Sequence, residues 1–168
     1  MGHVWRQVVA VVVLPVTVIG VVPYWIAKTY SVGLSWPKGG LGWAALLVGI
    51  AALFGGGTLF AASLKRFGRE GRGTLAPWDP PKNLVVRGPY AYVRNPMISG
   101  VILILVAESL LLRSLPHLGW TAAFGLLNAL YIPLAEEPGL RARFGQDFDE
   151  YSRNVPRLLP RLAPWRRP

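Results

Sequence analysis

The sequence predicts an all-α integral membrane protein of about four transmembrane helices, followed by a C-terminal amphipathic interfacial helix, in one domain covering residues 1–168. Three observations predict it. Hydrophobic residues make up 52% of the chain and charged ones 15%, too little charge to cover a water-soluble domain of 168 residues. Two stretches, 7–27 and 41–64, contain no charge, and each is long enough to cross a hydrocarbon layer of roughly 30 Å as a helix. The cations are one-sided: if the chain crosses four times, 15 of the 18 Lys and Arg fall at Arg6, in loop 65–95 and in tail 136–168. Only Lys28, Lys38 and Arg113 fall opposite, so the positive-inside rule places both termini in the cytoplasm.

The first span holds Pro15 and Pro23, and no small-residue cleavage pattern follows it, so it reads as a retained anchor with a kink near Pro15. Prolines inside a span call for neighbouring helices that satisfy the freed backbone groups. The second span carries Gly55, Gly56 and Gly57, and Ala51 with Gly55 has the small-xxx-small spacing that lets membrane helices approach closely. Loop 65–95 opens with three glycines among basic residues and continues through Pro77, Pro80 and Pro81, a composition for irregular structure. The run Leu84-Val85-Val86 predicts an ordered, packed section within it. Gly68, Gly71 and Gly73 lack the spacing and the strand-to-helix context of a dinucleotide fingerprint.

An apolar hairpin follows, with helices over 97–112 and 118–135 turning near Leu115 and Pro116. The first arm would rise roughly 24 Å at about 1.5 Å per residue, which suits a short, tilted or partly re-entrant span. Glu108 within it lies toward Arg113 and reads as structural, pairing or snorkelling outward, and Asn128 reads as a helix–helix hydrogen bond. Beyond Pro138 and Gly139, Leu140, Phe144, Phe148, Tyr151 and Val155 recur at helical spacing, an amphipathic helix of about four turns that lies on the membrane surface or closes over the hairpin mouth.

Equal hairpin arms place Arg94 and Asn95 level with Glu136 and Glu137. Carboxylates at a helix C-terminus meet the negative pole of the helix dipole, so a cation should offset them: Arg94, a tail arginine or a bound cationic molecule. Adjacent helical residues point about 100° apart, so one glutamate faces the cavity while the other pairs with arginine. The chain has no cysteine, which excludes disulfides and thiolate zinc sites, and His117 falls at the far end of the hairpin. The net charge of +10 reads as attraction to anionic membrane lipid, not nucleic acid.

These residues resemble the isoprenylcysteine carboxyl methyltransferase family, integral-membrane enzymes that use S-adenosyl-L-methionine and include phospholipid methyltransferase-like members. The likeness is carried by Gly88-Pro-Tyr90, by Arg94-Asn-Pro-Met-Ile-Ser-Gly100 and by Glu136-Glu137. It continues through Phe144-Gly145, Tyr151 and Val155-Pro-Arg157. The family's histidine is Asn95 here, and its tyrosine is Ile98. The resemblance implies a methyl donor held among Asn83, Leu84, Val85, Tyr90, Asn95, Pro96, Met97, Ile98 and Glu136, with Arg94, Gly100 and Glu137 completing the candidate set. Glu137 and Arg94 are the candidate catalytic residues, and no metal is required.

The implied partners are membrane lipids and a lipid-like or prenylated small-molecule acceptor. A prenylcysteine itself is disfavoured, because the arginine that those enzymes carry one turn before the paired glutamates is replaced by the Tyr131-Ile-Pro-Leu134 run. The alternatives are a phospholipid amine N-methyltransferase and a non-catalytic protein that keeps the fold.

Overall fold

A computed structural model describes residues 13–71 and 82–166. Among them no strand occurs, and four apolar helices and one polar helix build the fold: α1 (Val13–Thr29), α2 (Gly39–Glu70), α3 (Pro96–Leu112), α4 (Leu115–Phe144) and α5 (Gln146–Asn154). α2 and α4 are long and apolar enough to cross a membrane, while α1 and α3 are apolar but shorter. Side chains such as Leu47, Phe54, Leu126, Leu127 and Leu134 stand exposed on the long helices. Apolar exposure on this scale marks a surface that meets lipid or a partner.

α2 and α3 form the closest helix pair. The buried residues of α2 are Gly42, Gly49, Gly56 and Ser63, small side chains at a strict interval of seven, the spacing that keeps one face of a helix turned toward its neighbours. At the crossing, a Cβ on Gly56 would lie 2.7 Å from the Gly100 carbonyl oxygen, and one on Gly100 would lie 2.9 Å from the Gly56 carbonyl oxygen. The seam therefore differs from the expected Ala51 and Gly55 spacing, both of which are exposed. Replacing Gly56 with leucine should destabilise the protein by at least the ~1–3 kcal/mol of overpacking. Gly55→Leu, where a Cβ meets nothing within 4 Å, should melt like the parent in detergent.

Prolines shape α1 and α4 through widened turns. The Val22 amide donates to the Thr17 carbonyl and the Glu137 amide to the Ile132 carbonyl, closing π turns over Thr17–Val21 and Ile132–Glu136. Each precedes a proline, Pro23 or Pro138, at the start of the next α segment. The local widening seats a residue that has no N–H to give. In α1 the irregularity thus follows Pro15. In α4 it carries the helix past the expected stop at Ala135, because Glu137 keeps helical angles (φ −61, ψ −40).

The tail helix is correspondingly shorter than the sequence pattern suggests. α4 ends at Gly145, whose φ of 50° suits glycine, and α5 starts afresh at Gln146. α2 likewise continues through the basic stretch expected to be loop, where Arg66 and Glu70 pair at 2.9 Å one turn apart. The segment expected to be irregular at 72–81 lies outside the described residues.

The hairpin turns as expected at its far end, with Arg113 in the left-handed region (φ 49°) and Ser114 capping α4. His117 is buried there, bonding the Ser114 hydroxyl at 2.7 Å and the Pro23 carbonyl at 3.1 Å, and so ties α1 to the hairpin. Arg113 donates to Ser35 Oγ and the Trp36 carbonyl instead of meeting Glu108. Glu108 Oε2 has no hydrogen-bond partner among the described residues. Trp25, Trp36 and Trp43 stand exposed along this end, as aromatic side chains do at a membrane boundary.

Candidate functional site

The opposite end of the hairpin is polar, and its local sequence explains why. Pro96 occupies the first turn of α3, where its missing amide costs nothing, and Asn95 precedes it in a non-helical conformation (φ −118, ψ 62). That break turns Arg94 inward, and the π turn of α4 brings the two glutamates opposite it.

Arg94 Nη1 lies 3.0 Å from Glu137 Oε1, with both side chains about one-tenth exposed. Arg157, from the segment after α5, grips the same carboxylate with both arms of its guanidinium, Nε to Oε1 at 2.6 Å and Nη2 to Oε2 at 3.0 Å. A two-armed grip of this kind is the strongest form of carboxylate recognition. It raises the Arg157 pKa above its ordinary value. Burial lowers that of Arg94, and the Glu137 charge opposes the shift. Glu136, one residue earlier and partly buried, makes no ion pair among the described residues.

Arg94, Glu136 and Glu137 line a cavity of about 550 Å³, within the usual size range of small-molecule sites. The structure brings together eleven of the twelve candidate donor-site residues there: Asn83, Leu84, Val85, Tyr90, Arg94, Asn95, Pro96, Met97, Ile98, Glu136 and Glu137. Gly100 is the exception and does not line the cavity. It lies in the crossing with α2, where a side chain would strike the Gly56 carbonyl. Asn83 also donates to the Glu70 carbonyl at 2.9 Å, which fastens the ordered part of the loop to the end of α2.

α5 closes one wall. Phe148, Tyr151 and Val155 are buried and pack with Leu84, Val86, Leu140 and Phe144. Tyr151 donates from its hydroxyl to the Tyr90 carbonyl at 2.7 Å. The helix therefore covers the mouth, as one of its two expected placements had it. Burial pushes the phenols of Tyr90 and Tyr151 well above the usual tyrosine range, so both stay neutral.

Sequence reasoning missed four contributors. Arg157 sat in plain view in the Val155-Pro-Arg157 likeness, yet nothing in its spacing assigned its partner. Asn128, expected to bond across helices, donates instead to the Phe124 carbonyl of its own helix at 2.9 Å and lines the cavity. Leu14 and Val18 of α1 extend the apolar lining away from the charged mouth. Only three-dimensional packing reveals them, since α1 has no polar signal to mark it.

The cavity offers unpaired donors, a carboxylate and apolar surface to a small molecule. Tyr90 Oη and Arg94 Nε are buried and lack hydrogen-bond partners among the described residues, and both residues line the cavity. Buried donors left unpaired cost about 1–3 kcal/mol each, so a ligand with acceptor atoms would relieve them. Glu136 offers the opposite charge to an ammonium or sulfonium, and Leu84, Val85 and Phe148 offer apolar surface to an aromatic base. Among the described residues no cluster of His, Cys, Asp and Glu could hold a metal ion.

The model of the phospholipid methyltransferase family matches residues 44–147. No curated protein and no solved structure matches the chain. The matched stretch holds most of α2, the ordered loop, the whole hairpin and both glutamates, and it stops ten residues before Arg157. With well over half of its length in that match, and with the apolar helices and charged mouth in place, the chain belongs to the phospholipid methyltransferase family, whose members are membrane-associated methyltransferases.

Proposed function

We propose that this protein is an S-adenosyl-L-methionine-dependent methyltransferase that crosses the membrane four times, with both termini cytoplasmic, and methylates the amine headgroup of a phospholipid. One observation carries the reading. A single cavity joins a mouth holding unpaired donors and an unpaired carboxylate to an apolar interior reaching Val18 and Phe124. An amphiphile with a charged head and a lipid tail fits that polarity. The prenylated acceptor gains no support from the family match.

When bound, the donor supplies an electrophilic methyl group, and what remains is alignment and exclusion of water. Arg94 and Tyr90 would hold its acceptor atoms. An ammonium acceptor must lose a proton before it can attack, and that proton needs a base within reach. The sequence left this work to either Glu137 or Glu136. Two arginines already occupy that carboxylate, so Glu136 is the better base and Glu137 the better anchor. Phe148 and Tyr151 keep bulk water from the reacting groups.

Calorimetric titration of S-adenosylhomocysteine into detergent-purified protein tests the donor site. Saturable binding is expected, weakened at least tenfold by Glu136→Ala, the loss of roughly one charge-assisted hydrogen bond, and unchanged by Glu108→Ala. Equal losses in both variants would refute the placement. Labelled-methyl transfer into total lipid then identifies the acceptor, and donor binding without any transfer would point to a protein that kept the fold but not the chemistry.

A further inference from the structure

The segment after α5 carries features that the methyl-transfer reading does not use. From Tyr151 onward the sequence has no acidic residue, and Arg153, Arg157, Arg161 and Arg166 recur through it. Leu159 is 80% exposed, and Leu162 is completely so. Isolated exposed leucines are ordinary, but these two lie in a stretch whose course is firmly fixed. The amides of Arg94 and Asn95 donate to the Pro156 and Arg157 carbonyls, and the amides of Arg161 and Trp165 donate to the Tyr92 and Ala91 carbonyls. Trp165 packs its ring on Tyr151.

The depth of this stretch is fixed as well. The Ser99 hydroxyl, one turn into α3, donates to the Leu158 carbonyl at 2.7 Å. Leu159 therefore sits beside the first turn of α3, which, with α3 crossing the membrane as proposed above, is the level of the headgroup region. Exposed leucines at that depth, flanked by arginines and free of acids, match the interface of an anionic bilayer in both polarity and charge. The same stretch carries Arg157, which is half exposed and holds Glu137.

We propose that residues 155–166 form a strap that seats Leu159 and Leu162 in the interface of an anionic bilayer, and that this seating holds Arg157 on Glu137 and so keeps the cavity mouth closed. The coupling half of this proposal rests on the donor-site reading; the seating half does not. Membrane surface charge thereby sets affinity at the site, with no contact between the lipid and the cavity.

The test uses the full chain in nanodiscs of phosphatidylcholine alone or mixed equally with phosphatidylglycerol. Because the protein has no cysteine, Leu162→Cys gives a single attachment point for an environment-sensitive fluorophore. Its emission should shift to the blue in the anionic discs and resist an aqueous quencher. A label that is equally water-exposed in both discs overturns the proposal, as does shielding that depends only on the number of protein copies per disc, which would assign the patch to a second copy.

In parallel, S-adenosylhomocysteine should bind about fivefold more weakly in the zwitterionic discs, the effect of about one arginine's attraction to an anionic surface. Leu159→Ser with Leu162→Ser should remove that difference. Equal affinity in both discs for the parent protein overturns the coupling. Absence of binding in every disc, with the label still shielded, would instead count against the donor site.

Discussion

Glu137→Ala should destabilise the protein by about 3 kcal/mol, the cost of leaving a buried ion pair with only one partner, and should abolish donor binding. The expectation comes from Arg94, not Arg157. Arg94 is almost fully buried and already has one unpaired N–H, so removing the carboxylate strands its charge. Arg157 is half exposed, and water can replace its partner at little cost. Thermal melting in detergent should show the loss. Combining Glu137→Leu with Arg94→Met should restore most of the stability, since no buried charge is then left uncompensated and Arg157 can turn to water, but it should not restore binding. A double variant as unstable as Glu137→Ala would mean that the ion pair is not what holds the mouth together.

Glu136→Gln should behave in the opposite way. Its carboxylate faces the cavity without an ion pair among the described residues, so the stability should stay within about 0.5 kcal/mol of the parent's. Transfer to an amine acceptor should fall by about 10²–10⁴, the usual contribution of a positioned base, with kcat reduced and KM for the lipid little changed. Raising the pH should recover part of the lost rate, because a deprotonated amine no longer needs the base. Full activity in Glu136→Gln would remove Glu136 from proton transfer and return Glu137 to consideration.

The contrast between the two glutamates shows how far the sequence could be read. The hairpin was legible because its register is simple arithmetic: two apolar arms of similar length must bring residue 94 back to residue 137, and the 3.0 Å contact follows. The division of labour between the glutamates was legible only as a choice. Its outcome depends on the π turn, a departure from helical phase that sequence spacing does not encode. The same limit explains the misplaced end of α4, since Pro138 argues for a stop wherever the preceding turn stays regular.

Close helix contact gave a different lesson. Gly56 and Gly100 meet because a seven-residue stripe runs along α2, and the four-residue spacing of Ala51 and Gly55 drew attention to the wrong face. Gly100, which the motif suggested for the donor site, supports that site by letting α3 approach α2. Arg157 illustrates the remaining gap. Contact between residues 20 apart across a helix break has no periodicity to betray it.

The dependence of the mouth on Arg157 also sets an order of events during synthesis. Protein chains emerge amino end first, and their parts fold as they appear. Both hairpin arms, Arg94 and the two glutamates are made before the residue that completes the cluster. Until then the Glu137 carboxylate has Arg94 alone, and the backbone of residues 91–95 lacks the later carbonyls and amides that pair with it. A nascent chain therefore carries a hairpin with an unfinished mouth, and the cluster closes only when the ribosome has delivered Arg157 and the residues just after it.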